Sequence, residues 1–182
     1  MTEELEFKTF LSISLEGFEI FVLNNKNFEN LYKQEVKFQN KTNIIHFENL
    51  NKFLEENIFK IEKIIGKFIK NIFLIIENPE IFDLNIGIKK KNYETSITKK
   101  DLETILTDAK DLFKENYENE RIMHMIIVKY VINGKNHFSL EENLSGDYIC
   151  VEIKFISIPI STVSGIEKIL KKYQIKIKDF MD

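Results

Sequence analysis

The chain has no tryptophan, one cysteine, two prolines and six glycines in 182 residues. With Cys150 alone, no intramolecular disulfide can form, which suits a reducing compartment. With Pro79 and Pro159 the only prolines, and no Gly/Ser-rich stretch, nothing reads as a flexible linker. Arginine is nearly missing as well, Arg121 standing alone among many lysines. Positive charge is not in excess: the formal net charge is −3, so electrostatics gives no reason to expect a nucleic-acid partner. No apolar run approaches the roughly 18 residues that span a bilayer, so direct membrane insertion is not expected. The acidic opening segment lacks a basic flank followed by an apolar core and does not read as a signal peptide. These absences together predict a cytoplasmic protein.

What is present is a globular balance, with 43% hydrophobic and 30% charged residues, enough apolar surface to build a core. Residues 10–15 and 18–23 are short apolar runs separated by Glu16 and Gly17, and residues 32–39 alternate more weakly. Together they predict an antiparallel meander. From Phe47 to Phe68, apolar residues recur in steps of three and four, which predicts a helix over residues 47–70. Residues 71–76 form a strand-length run that Pro79 closes. Residues 81–91 predict another strand. Thr98 followed three residues later by Asp101 is a capping-box pattern, and Leu102, Ile105, Leu106, Ala109, Leu112 and Phe113 supply the stripe of a helix. Residues 121–132 are apolar in both alternating registers, which predicts a strand covered on both faces. Asn133-Gly134 signals a turn, and residues 135–146 read as a polar excursion. Residues 148–158 alternate as a second long strand, and Val163 to Tyr173 mark a last helix, with Ser164 and Glu167 read as a second capping box near its start. The fold class is therefore α+β. Three segments follow: 1–80, an inserted strand-helix-strand-strand unit at 81–158, and 159–182 returning to the first.

Candidate chemistry is sparse. His46, His124 and His137 share no metal-ligand spacing with one another or with Cys150, so no metal is expected. Lys89, Lys90 and Lys91 with Lys99 and Lys100 form the densest basic patch. With Tyr93 as the aromatic nearby, it reads as a solvated strand end rather than a nucleic-acid surface. Glu16 and Glu19 lie at a surface turn and lack the pocket that acid-base work would require.

Three landmarks carry a family resemblance. Residues 121–130 read RIMHMIIVKY, where the FtsA family of actin-like bacterial division proteins reads R-V-L-H-V-I-P-Q-E-Y; Arg121, His124, Ile126 and Tyr130 match in register. Leu144, Ser145 and Gly146 follow at the spacing of that family's L-S-G, and Ile97, Thr98 and Asp101 reproduce its I-T-x-x-D. The chain thus resembles the first part of FtsA. The resemblance implies a partial actin-like, ribonuclease H-like subdomain carrying an inserted strand-helix-strand-strand subdomain. In that family the insert contacts neighbouring subunits and other division proteins.

The nucleotide site departs from the family. Its Asp-x-Gly-Thr turn, which cradles phosphate, falls here on Ser14 to Glu19: Ser14 replaces the Asp, Glu16 the Gly, and Glu19 a Lys. Acidic side chains at that turn would repel a polyphosphate, and Phe18 adds bulk. The expectation is a non-enzymatic protein-interaction module with no bound cofactor. It would bind other proteins, with self-association through the insert, and a partner would recruit it to the inner face of the membrane. Arg121, His124, Tyr130, Ser145 and Gly146 are the expected contact residues. Adaptors of pilus or secretion machines share this actin-like fold and form the alternative; a residual ATPase is a second one.

Overall fold

The structure, a computed structural model, describes residues 6–39, 44–93, 96–140 and 145–181. The chain divides into two compact units, one of Met1–Pro79 with Ser161–Asp182, the other Glu80–Ile160.

Unit 1 begins with the predicted meander: β1 (Phe7–Ile13), β2 (Gly17–Asn24) and β3 (Asn30–Lys37) pair antiparallel in turn. Helix α1 (Phe47–Ile65) then returns the chain so that β4 (Asn71–Ile76) pairs parallel with β1. After unit 2 the chain re-enters through α3 (Ile160–Lys171) and ends with β9 (Lys176–Met181), parallel to β4. The sheet order is β3-β2-β1-β4-β9. Leu11, Ile13, Ile20, Leu50, Leu54, Ile61, Leu74 and Ile166 are fully buried. They alternate along the strands and recur every three or four residues along the helices, so one sheet face and two helix stripes form this core.

Three expectations are corrected here. The first helix ends at Ile65 rather than Lys70, because Gly66 takes the left-handed conformation (φ 69°) and donates its N–H to the Glu62 carbonyl at 2.9 Å. Glycine takes that left-handed closing conformation without the steric cost of a Cβ. Beyond it Ile69 is buried while Phe68 is 80% exposed, so the apolar period continues past a helix that has stopped. The last helix begins directly after Pro159, which places Ser164 inside it and not at a cap. Residues 176–181, past the last helix expected from the sequence, form β9, whose lysines hid the alternation.

The strands of unit 2 are β5 (Phe82–Lys91), β6 (Glu120–Ile132), β7 (Lys135–His137) and β8 (Tyr148–Pro159), with α2 (Lys99–Asn116) between β5 and β6. The sheet order is β5-β8-β6-β7, with all neighbours antiparallel. The predicted capping box forms: the Thr98 hydroxyl accepts from the Asp101 N–H, and the Asp101 carboxylate accepts from the Thr98 N–H at 2.9 Å. Asn133 and Gly134 both have positive φ (47° and 81°), the conformation of a two-residue hairpin turn. That turn adds β7, which sequence reasoning took for loop.

Ile105, Ala109 and Phe113 of α2 pack on Tyr130, Ile132, Ile149, Val151, Ile153 and Phe155. The Phe113 and Phe155 rings stack 4.9 Å apart. Covering of β6 on both faces is not found: Ile126 is 45% exposed and Val128 37%. Antiparallel sheets tolerate one open face, and bulges at Ile122/His124 and Ile127/Lys129 break the strict alternation of β6, so apolar residues occur in both registers without two cores.

Candidate functional site

The β1–β2 turn is where an actin-like ATPase would hold phosphate. Here the Ser14 and Glu16 amides are bonded within the turn. The Ser14 N–H donates to the Gly17 carbonyl at 3.0 Å, the Ser14 hydroxyl donates to the same oxygen at 3.2 Å, and the Glu16 N–H donates to Ser14 Oγ at 3.2 Å. From beyond β3, the Phe38 N–H donates to the Glu16 carbonyl at 2.8 Å. A serine bonding the amide two residues on is a local turn of its own, and it competes with any anion for that amide. Gly17 serves packing: a Cβ there would lie 2.1 Å from the Val36 carbonyl oxygen.

Electrostatics at this turn differ from the expected bare pair of acids. Lys33 Nζ lies 2.5 Å from the Glu19 carboxylate, and Lys37 bridges Glu35 at 3.1 Å. The hydrogen bond to Glu19, and then its charge, raise the pKa of the Lys33 ammonium. The hollow beside the turn, about 310 Å³, is lined by Glu19, Glu35 and Lys37 with Ser12, Ser14 and Glu16. The turn is thus hydrogen-bonded to itself, and part of the acidic charge around it is paired with lysine.

The five predicted contact residues separate. Tyr130 is buried in the unit 2 core. Ser145 forms an isolated bridge with Ser96, and the Gly146 carbonyl accepts from Asn92 Nδ2 at 3.2 Å. A Cβ on Gly146 would meet Ile132 Cγ2 at 2.6 Å, so close approach of backbone to side chain explains the glycine. Arg121 and His124 lie toward the other end of β6, half-buried, opposite Ile158 and Ile156 of β8. Leu144 lies outside the described residues. The fold therefore gathers Tyr130, Ser145 and Gly146 around the β6–β7 end, and sets Arg121 and His124 apart near Ile126 on the open face. Ion pairs Lys129–Glu152 (3.0 Å) and Lys154–Asp83 (2.6 Å) join neighbouring strands of this sheet.

The lysine run on β5 is divided. Lys90 pairs with Asp108 of α2 at 2.5 Å, while Lys89 and Lys91 lie over the rings of Tyr148 and Tyr93. Tyr148 is the aromatic that sequence distance concealed. Among the described residues no group of three or more His, Cys, Asp or Glu could hold a metal ion, and no helix is long and apolar enough to cross a membrane.

This arrangement is a partial actin-like fold, with a second α+β unit inserted between β4 and α3. No family model matches the chain, and no curated protein matches it in sequence. Among solved structures, a chain of the PilM–PilN type IV pilus biogenesis complex is similar over 95% of this chain and 46% of its own, with a TM-score of 0.61 and 10% identity. The cytoplasmic domain of EpsL, an inner membrane component of the type II secretion system of Vibrio cholerae, is similar over 96% and 56%, with TM-score 0.47 and 8% identity. A Bacteroides thetaiotaomicron protein with an actin-like ATPase fold and unknown function gives 98% and 53%, TM-score 0.41 and 17% identity. The chain spans about half the length of each. The fold inference rests on the first, because the TM-scores of the other two are below 0.5.

Proposed function

We propose that the chain is a non-enzymatic adaptor of a pilus or secretion machine, binding a partner protein through unit 2 and reaching the inner face of the membrane through that partner. The observation that carries the non-enzymatic part is the β1–β2 turn, whose Ser14 and Glu16 amides are already bonded within it. Support for the machine comes from the fold shared with a chain of a pilus biogenesis complex. On unit 2, the face of β6 carrying exposed Ile126 and Val128, with Arg121 and His124 on the same strand, is the contact surface in this reading. The test is affinity capture from the native cell with the wild type and an Arg121→Glu, Ile126→Glu variant as baits. Pilus or secretion components retained by the first and lost from the second are expected; equal retention by both removes unit 2 as the contact. Calorimetric titration with Mg-ATP is the companion measurement: tight binding would overturn the non-enzymatic reading and favour a residual ATPase.

A second reading is a division role like that of FtsA. Its support is the register match of Arg121, His124, Ile126 and Tyr130 along one strand and the formed Thr98–Asp101 cap. Capture of division proteins in place of secretion components would favour it.

A further inference from the structure

The sheet edges of this chain are not guarded alike. An edge strand presents unpaired backbone N–H and C=O groups, and charged side chains are a common deterrent to pairing with another chain. At three edges they are present. β3 carries Lys33, Glu35 and Lys37, β9 carries Lys176, Lys178 and Asp179, and β5 carries Asp83, Lys89, Lys90 and Lys91. At the remaining edge, β7 pairs only with Tyr130, Val131 and Ile132 of β6. After His137 the chain bends at Phe138 and Ser139, and Leu140 packs against the unit 2 core. Among the described residues, no strand flanks the outer side of β6 from Glu120 to Lys129. Within that stretch residues 122–128 read IMHMIIV, with no Lys, Arg, Asp or Glu.

Burial shows what a flanking strand supplies. Where β7 lies alongside, the inward side chains of β6 are covered, Tyr130 to 8% exposure and Ile132 to 4%. Where it does not, Ile122, Met125 and Ile127 pack against the same core yet stay half-buried. The bulges at Ile122/His124 and Ile127/Lys129 bracket His124 to Ile127, which keep regular register against Ile156 to Ile153 of β8. Backbone groups on such an edge match an extended chain, whereas a helix has bonded its own internally. A second copy fits less well. Antiparallel pairing of two β6 edges about a two-fold axis through this stretch brings Arg121 of each copy toward Lys129 of the other, and like charges across strands repel.

We propose that an extended segment of the partner pairs with the outer edge of β6 between Ile122 and Val128, taking up the place where β7 stops. Its backbone supplies the hydrogen bonds, and alternate apolar side chains cover Ile122, Met125 and Ile127. This rests on the adaptor reading and says how unit 2 would hold its partner.

The test is fluorescence anisotropy of a labelled peptide of about eight residues, the span of an ordinary strand. Valine alternates with threonine along it, both good strand formers, and it is titrated with the full chain. Two further versions carry N-methyl groups on alternate amides, one at the valines and one at the threonines. Only one edge of an added strand faces β6, so one version should bind about tenfold or more weakly, the scale of several lost hydrogen bonds. The other should bind like the parent peptide. Amides of residues 122–128 should exchange more slowly when the parent is bound. Ile126→Lys, at a side chain already 45% exposed, adds a charged guard and should weaken binding several-fold. Absence of binding, or equal binding of the two N-methylated versions, would overturn the proposal. So would sedimentation showing a dimer that Ile126→Lys dissociates, since a second copy would then hold the edge. If the Arg121→Glu, Ile126→Glu bait loses its captured components while both N-methylated versions bind equally, the adaptor reading stands and strand pairing falls. Capture unchanged with binding of one version alone keeps the edge as a docking site and removes the adaptor role.

Discussion

The two sheets of this chain meet water differently. In unit 2 every pair of neighbouring strands is antiparallel; α2 covers one face, and the open face mixes Ile126 and Val128 with ion pairs such as Lys154–Asp83. In unit 1 three strands are parallel, both helices share one face, and the second face is a row of stacked phenylalanines. Connection geometry accounts for the contrast. Hairpins leave a face free to be polar, whereas right-handed crossovers that advance the same way across a sheet put successive helices on the same side. A mixed polar face is at rest in water; in the phenylalanine row the rings shelter one another, and Phe10 is only 9% exposed.

The contrast can be broken or sharpened by substitution. The largest effect should come from the covered face of unit 2. Phe155→Ala removes a ring stacked on Phe113 and fully buried, and should cost about 4 kcal/mol in urea denaturation followed by circular dichroism. Next comes Gly17→Ala, whose Cβ would overlap the Val36 carbonyl at 2.1 Å; a loss of about 3 kcal/mol by the same measurement is expected for such a backbone clash. If Gly17→Ala is tolerated, the β1–β2 turn is looser than its hydrogen bonds imply, and the case against phosphate weakens with it.

Thr98→Ala, which removes the α2 cap, should cost about 1 kcal/mol. The effect carries a pH signature. Hydrogen bonds from the Thr98 side chain and then its backbone lower the pKa of the Asp101 carboxyl below its ordinary value. A carboxylate with a lowered folded pKa contributes stability above its unfolded value and loses it as pH falls toward the folded one. The gap between wild type and Thr98→Ala should therefore narrow in acid, below about pH 4, as read from thermal midpoints across pH. Smallest of all is Ile126→Ala on the open face of unit 2, expected within about 0.5 kcal/mol. A loss there approaching that of Phe155→Ala would mean that this face is covered after all.

Much of the fold was legible. The meander, the helix that opens at Phe47, the Thr98 cap and the Asn133-Gly134 turn each depend on residues close in sequence, and each formed. Local chemistry misled where two signals conflicted. The apolar period past Gly66 argued for helix while the glycine argued for a stop, and the left-handed cap decided it. In β9, lysines 176 and 178 hid a strand that exists because β4 offers an unpaired edge, which no local pattern reports. At the candidate sites, the turn's self-bonding had a readable signal in Ser14 two residues before Glu16. Tyr148 beneath Lys89, by contrast, lies far along the chain and had none.

The sequence by itself determined which segments become helix and strand over most of the chain, and that the first turn carries serine and glutamate where small donors would be needed. These follow from side-chain periodicity and from bonds spanning two to four residues. The tertiary structure decided that Tyr130 and Gly146 hold unit 2 together, that β6 keeps an open face, and that Phe10, Phe21 and Phe73 form one surface. Such facts depend on strand register and on which side a crossover places its helix, and both are fixed by contacts between residues distant in the chain.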